Sequence, residues 1–452
     1  MTLAEHGSDN ASNSRQRISL QALRSITSPA IRTKLARRRT KLQPFHHEPL
    51  TDPTRQIRLL RILPESTDTQ LRLRLETHDL VADLVEDGTA NATSSFVAVS
   101  YMWGIKTRLQ SIIVNGQSLD VTADCRYSLW QAFRCPLVQQ DGHIWVDSIC
   151  INQRDLAEKS AQVKIMGSIY RKATSVLACT GNHGDDSEYV FEVLNDLQAT
   201  RWPWQSDLGG SLQDRLGFSS TDDEAYSRFV LAFQDFEQRA YWNRLWIVPE
   251  LSLAKSITIL CGSDSLPLGA VDDPKSFYHG LLDIARQVGK AVSEHDDLPM
   301  TKLLCSISGE TLHRYKNRGA TDRGYSLLVA LSEFHSWQCT DTRDRVYAFL
   351  EIVKWPPRLP RIVPDYTITC AELAKRLVPM AMIEGWHIAA KRQDRDLKLI
   401  FQQALQLTDS EAIEVWQDVD AAAVWKYYCQ SGNEWHTTGY SEALRWKNGE
   451  QR

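Results

Sequence analysis

The stretch His143-Ile144-Trp145-Val146-Asp147-Ser148-Ile149-Cys150-Ile151-Asn152-Gln153-Arg154, continued by Asp155-Leu156-Ala157-Glu158 and on to Gly181, decides the fold. Ile144 to Val146 is an apolar run bounded by Asp147. That is the pattern of a short buried strand presenting a carboxylate at its C-terminal end. Asn152-Gln153-Arg154 reads as a polar turn. Asp155 with Glu158 three residues later is an acidic version of the capping box that starts a helix. Val163, Met166, Ile169, Tyr170 and Ala173 then recur at helical spacing. Lys164 falls on the other face, and Arg171 and Lys172 occupy the last turn, where the helix dipole favours positive charge. Thr174 to Thr180 reads as a second strand, ended by Gly181. Strand, helix, strand is a βαβ unit, which implies a parallel sheet.

Working outward, Phe96 to Tyr101 is a continuous apolar run, as in a strand buried on both faces. Met102-Trp103-Gly104 follows it. Asn115-Gly116 signals a hairpin turn. Ser256 to Gly262 is a further strand, and Arg55–Leu63 with Leu71–Leu75 form a half-exposed N-terminal hairpin. Helices are expected at Ser128–Phe133, Ser187–Ala199 and Ala225–Leu245, with an irregular insertion around Trp202-Pro203-Trp204. Pro249 either ends a helix or sits in the first turn of the next. Beyond residue 265 the pattern is mainly helical, with Tyr325–Ser332 and Asp344–Val353 the clearest segments. The predicted class is α/β: a short parallel sheet flanked by helices, an N-terminal β hairpin and a mainly helical C-terminal region. In such sheets ligands lie outside the carboxyl ends of the strands. Ser100, Asp147 and the Asn152–Gln153 turn would then line one crevice.

Composition bounds the function. The 452 residues, 42% hydrophobic and 24% charged, are those of a soluble globular chain of about two or three domains. No apolar stretch is long enough for a transmembrane helix, and the N-terminus lacks a signal-peptide pattern. Nine scattered cysteines, an odd number, read as reduced thiols of a cytosolic or nuclear protein. From Ala11 to His47 there are nine Lys or Arg and no Asp or Glu. Without those nine, the remaining 43 basic and 56 acidic residues leave about −13. Residues 1–50 therefore read as a disordered basic tail, and Lys34 to Lys41 has the composition of a nuclear localisation signal. Nucleic-acid binding would rest on that tail alone and is not expected. The remaining boundaries fall at 51–265 and 266–452.

Several motifs resemble the heterokaryon incompatibility (HET) domain of filamentous fungi. They are Ala98-Val99-Ser100-Tyr101-Met102-Trp103-Gly104, Trp145 to Gln153, Glu158 with Gln162, Met166 and Tyr170, and Arg239 to Trp246 ending in Glu250. Asp341 to Ala348 and Pro364-Asp365-Tyr366 resemble the region that often follows that domain. Where the family usually has Gln before the Glu, this chain has Pro249. The resemblance implies non-self recognition and a cell-death response, through self-association or protein partners. It also implies a distant relation to the TIR domain, with a flavodoxin-like strand order over about residues 96–265. By that analogy Trp246 and Glu250 match the TIR element bearing the glutamate of enzymes that cleave NAD. Glu250 then becomes the candidate catalytic carboxylate, with Asp147 and Ser100 beside it and NAD as the implied substrate. A carboxylate can stabilise the oxocarbenium-like state of nicotinamide–ribose cleavage. Tyr101, Trp103, Asn152, Gln153, Arg244 and Trp246 are the candidate ligand-binding residues.

Each of these residues also has an ordinary structural reading. Glu250 fits a helix-start carboxylate, Asp147 a turn cap, and Trp145, Trp242 and Trp246 core aromatics. Asn152–Gln153 fits a turn that satisfies its own backbone, and Arg244 an ion pair with Glu158 or Asp147. No metal is expected: Cys179/His183 and His335/Cys339 are spaced by four residues, but neither has a second ligand pair.

Overall fold

The computed structural model describes residues 42–80, 95–105, 107–200, 211–219, 221–270, 273, 276–292, 299–307, 327–353, 355, 361–389 and 397–417. The basic segment 34–41, the Trp202-Pro203-Trp204 insertion and Tyr325 lie outside these residues. The chain divides into two compact units, Met1–Pro44 and Phe45–Arg452. The strands and helices named here belong to the second.

Nine strands among the described residues form one sheet: β1 (Gln56–Ile62), β2 (Arg72–Asp79), β3 (Val97–Tyr101), β4 (Leu109–Val114), β5 (Gln117–Thr122), β6 (His143–Trp145), β7 (Val176–Cys179), β8 (Ser256–Cys261) and β9 (Asp264–Ala270). Their spatial order is β5-β4-β2-β1-β6-β3-β7-β8-β9. The centre, β6-β3-β7-β8, is parallel throughout. Along the chain these four run second, first, third, fourth, as in a doubly wound sheet. Every residue of β3 and β7 is buried, so their runs show no alternation. The β1–β2 hairpin is antiparallel and adds to the sheet through β6.

Between the strands lie α1 (Ala123–Arg134), α2 (Pro136–Asp141), α3 (Asp147–Cys150), α4 (Leu156–Lys172), α5 (Ser187–Thr200), α6 (Leu212–Leu216), α7 (Asp223–Glu237) and α8 (Ile247–Ser252). After β9 the described elements are all helical: α9 (Phe277–Val292), α10 (Pro299–Ile307), α11 (Leu327–Phe334), α12 (Asp344–Tyr347), α13 (Cys370–Ala389), α14 (Leu397–Leu405) and α15 (Asp409–Gln417).

The βαβ unit is β6, α4 and β7. Val163, Met166, Ile169, Tyr170 and Ala173 are all buried, and Trp145 meets Tyr170 edge-to-face with ring centres 5.4 Å apart. Asp155 caps α4 by accepting from the Ala157 and Glu158 N–H groups at 3.0 and 3.1 Å. Glu158 does not return the bond to Asp155. It accepts from the Asn152 N–H at 2.7 Å and from Arg58 Nη1 and Nη2, at 2.6 and 2.9 Å. Arg58 also donates to the Cys150 and Glu48 carbonyls, so one buried guanidinium ties β1 to the turn before α4.

Three boundaries depart from expectation, and Pro249 takes one of the two positions expected for it. Asp147 starts α3 and does not end β6, which stops at Trp145. The Ala225–Leu245 pattern ends as a helix at Glu237, because a 3₁₀ turn at Ala240–Asn243 carries the remaining aromatics. Pro249 lies inside the first turn of α8, where its missing N–H costs nothing. The Asp344–Val353 helix is a single turn, Asp344–Tyr347, held by bonds of Arg343 that its periodicity could not reveal.

Candidate functional site

Four polar side chains that lie far apart in the chain meet at the carboxyl ends of β3 and β6. Ser100, near the end of β3, donates its hydroxyl to Glu250 Oε2 and shares a 2.8 Å bond with the Tyr241 hydroxyl. Glu250 reaches this point from α8, whose Pro249 fixes φ one residue earlier. Arg244 enters from the loop before α8. Its Nη1 donates to the Tyr101 carbonyl and lies 3.6 Å from Glu250 Oε1, while Nη2 lies 3.9 Å from Asp147 Oδ2. Asp147 in turn accepts from Trp103 Nε1 at 2.8 Å and from the Ser148 N–H at 2.7 Å.

The centre is closed. Glu250 is 1% exposed, Ser100 1%, Arg244 8% and Asp147 9%. Burial raises the Glu250 carboxyl above its ordinary range, Arg244 opposes the rise and Asp147 adds to it. Burial likewise raises Asp147, again against Arg244 and the Trp103 bond. On Arg244 burial works against the charge, but the Glu250 and Asp147 carboxylates outweigh it and raise the guanidinium. One cation thus serves two carboxyl groups, with neutral donors supplying the rest.

The remaining candidates divide. Tyr101 is buried and donates to Ser148 Oγ at 2.6 Å, so its ring is core and its carbonyl belongs to the centre. Trp103 is half-buried on the rim, bonded to Asp147. Gln153 holds the turn by donating to the Asp147 carbonyl at 3.0 Å, and Asn152 accepts from the Arg154 N–H at 3.3 Å. Their bonds are those of a turn satisfying its own backbone. Trp246 donates to Asp344 Oδ2 at 3.1 Å, and Asp344 also accepts from the Tyr366 hydroxyl at 2.7 Å. That indole therefore joins α8 to the C-terminal helices. Arg244 pairs with Asp147 and Glu250, whereas Glu158 belongs to Arg58.

Sequence reasoning missed Tyr241 as the second partner of Ser100, although it stands inside the Arg239–Trp246 motif. It also missed a second cluster at the ends of β7 and β8. There Arg239 donates to the Asn182 and Gly184 carbonyls, both at 2.9 Å, and to Ser187 Oγ at 3.0 Å. His183 lies between Cys261 Sγ at 3.5 Å and Asp264 Oδ2 at 3.2 Å. No local pattern links these positions. Gly262 has φ +54°, and a Cβ there would fall 1.8 Å from the His183 ring. Gly262→Ala is expected to cost about 1–3 kcal/mol, read as a lower denaturant midpoint at unchanged slope.

A family model described as heterokaryon incompatibility protein (HET) matches residues 96–250, so its last matched residue is Glu250. Heterokaryon incompatibility protein 6, OR allele, of Neurospora crassa is 26% identical over 390 residues, which cover 76% of this chain and 54% of that protein. The chain therefore spans about half the length of that relative. No solved structure matches. The order of the motifs and the matched span agree: residues 96–250 are similar to the heterokaryon incompatibility (HET) domain.

Proposed function

We propose that this chain acts in fungal heterokaryon incompatibility, in the recognition of non-self that leads to regulated cell death, and that it does so by self-assembly or by binding a protein partner. The observation that carries the reading is Glu250: it is 1% exposed, bonded to Ser100 and facing Arg244 with its other oxygen. A carboxylate so engaged presents no free face to a substrate. It holds the loop before α8 and the ends of two central strands in one arrangement, which suits a domain whose surface does the work. Residues 266–452 act in this reading as a regulatory cover. Support comes from the Leu245 N–H donating to the Gln338 carbonyl at 2.9 Å, from Trp246 on Asp344, and from Arg171 on Glu351 at 2.9 Å.

The test is expression of the chain in Neurospora crassa heterokaryons, with and without residues 96–250, at matched protein levels. Growth arrest in some pairings that disappears with the deletion is the expected result. Unhindered growth in every pairing would sink the reading.

A second reading is favoured by one feature: two carboxyl groups with raised pKa values stand at the carboxyl ends of parallel strands, where doubly wound sheets bind ligands. In it a conformational opening frees Glu250 to act on the nicotinamide–ribose bond of NAD, as the TIR analogy implies, with Asp147 and Ser100 binding hydroxyls. Nicotinamide release by the purified chain, lost in Glu250→Gln, is its signature.

A further inference from the structure

On the hairpin side of the sheet, Glu76 and His78 of β2 and His143 of β6 converge across β1. Glu76 and His78 are two residues apart, so both side chains leave the same face of β2. The register places Glu76 opposite Leu59, His78 opposite Ile57 and His143 opposite Arg61. Paired residues across a ladder share a face, so all three side chains stand over β1, with the fully buried Leu59 and Ile57 on that same face. Glu76 Oε2 is 4.0 Å from His78 Nε2 and 3.8 Å from His143 Nε2. The three donor atoms all lie within 4.8 Å of one another. Separations of 3.8 and 4.0 Å are too long for hydrogen bonds. Donors on a tetrahedral zinc ion stand roughly 3.4 Å apart, given bonds of about 2.0–2.2 Å. Side-chain rotations that shift the donor atoms by about an ångström would close the set from separations of at most 4.8 Å.

We propose that Glu76, His78 and His143 form a binding site for a divalent transition metal of the zinc type. Two imidazoles and one carboxylate are a donor set used for zinc, and three protein ligands leave one position for water. The side chains are 36%, 20% and 18% exposed in the order Glu76, His78, His143, so an ion can enter from solvent. Arg74 Nη1 lies 3.7 Å from the other carboxylate oxygen, Glu76 Oε1. A bound ion would clamp β2 to β6 over the intervening β1 and so fasten the hairpin to the parallel part of the sheet.

The test uses the untagged full chain, stripped with chelator, exposed to Zn²⁺ and desalted. Metal analysis is expected to find about one zinc per chain, and zinc is expected to raise the melting temperature. The double variant His78→Ala/His143→Ala is expected to lose both effects with its circular dichroism unchanged. Where that variant unfolds, Glu76→Gln, which keeps the shape and drops the charge, takes its place. No stoichiometric zinc on the parent chain, or the same zinc on a folded variant, overturns the proposal.

Discussion

Arg244→Ala is expected to destabilise the chain by about 3–5 kcal/mol, because it leaves two buried carboxyl groups without their shared cation. The Arg244 guanidinium faces Glu250 at 3.6 Å and Asp147 at 3.9 Å, and it caps the carbonyl at the end of β3. The loss depends on pH in a defined direction. Burial has already raised both carboxyls, so the native state holds their protons more tightly than the unfolded chain does. Their contribution is complete below the unfolded value of about 4 and declines as pH rises through the folded values. Removing Arg244 raises both groups further. Denaturant titrations at several pH values should therefore find the variant closest to the parent in acid and furthest from it near neutrality. An equal deficit at every pH would mean that Arg244 contributes packing and not charge.

Arg58→Ala is expected to cost about the same, 3–5 kcal/mol, by a separate route. Arg58 is 2% exposed and Glu158 5%. For Glu158 burial pushes the pKa up, but the Arg58 bonds and the Asn152 N–H outweigh it, and the net shift is downward. The sign is opposite to that of Glu250. The stability that Arg58 and Glu158 supply is present above the unfolded carboxylate value and is lost as pH falls through the folded one. Acid should therefore remove this pair's contribution in the parent chain and bring the Arg58→Ala variant and the parent together. Arg58→Lys keeps the charge but cannot make the two-pronged contact, and it should recover only part of the loss.

The two arginines show what a sequence conveys and what it withholds. The β6–α4–β7 unit was legible because burial imposes a period: Val163, Met166, Ile169 and Tyr170 must share a face for the helix to cover the sheet. The β3 and β8 strands were legible as apolar runs because nearly every one of their residues is buried, whichever face it lies on. Ser100, Asp147, Arg244 and Glu250 were legible as candidates through the motif resemblance and their positions at strand ends. Their mutual contacts were not, since Ser100 and Glu250 lie 150 residues apart and no periodicity spans that distance. Glu158 pointed to a cap, a local solution, whereas its partner Arg58 lies 100 residues away on β1. The Asp147 boundary was misplaced because a helix of four residues, Asp147–Cys150, carries no period to read. The Glu76–His78–His143 cluster was invisible to a search for ligand pairs at fixed spacing, because its geometry comes from β-sheet register.

In the proposed function the buried centre shapes the domain at residues 96–250 and association carries the activity. Glu250→Gln tests this most directly. Glutamine keeps the length of the side chain and can still bond to Ser100, while the carboxylate that catalysis would need is gone. Arg244 retains Asp147 at 3.9 Å as a charged partner. The measurement is growth of heterokaryons expressing the variant, at folded protein levels matched to the parent. Glu250→Gln is expected to arrest the same pairings as the parent chain does. Loss of arrest in a variant of equal abundance and unchanged circular dichroism would contradict it and make Glu250 a catalytic residue.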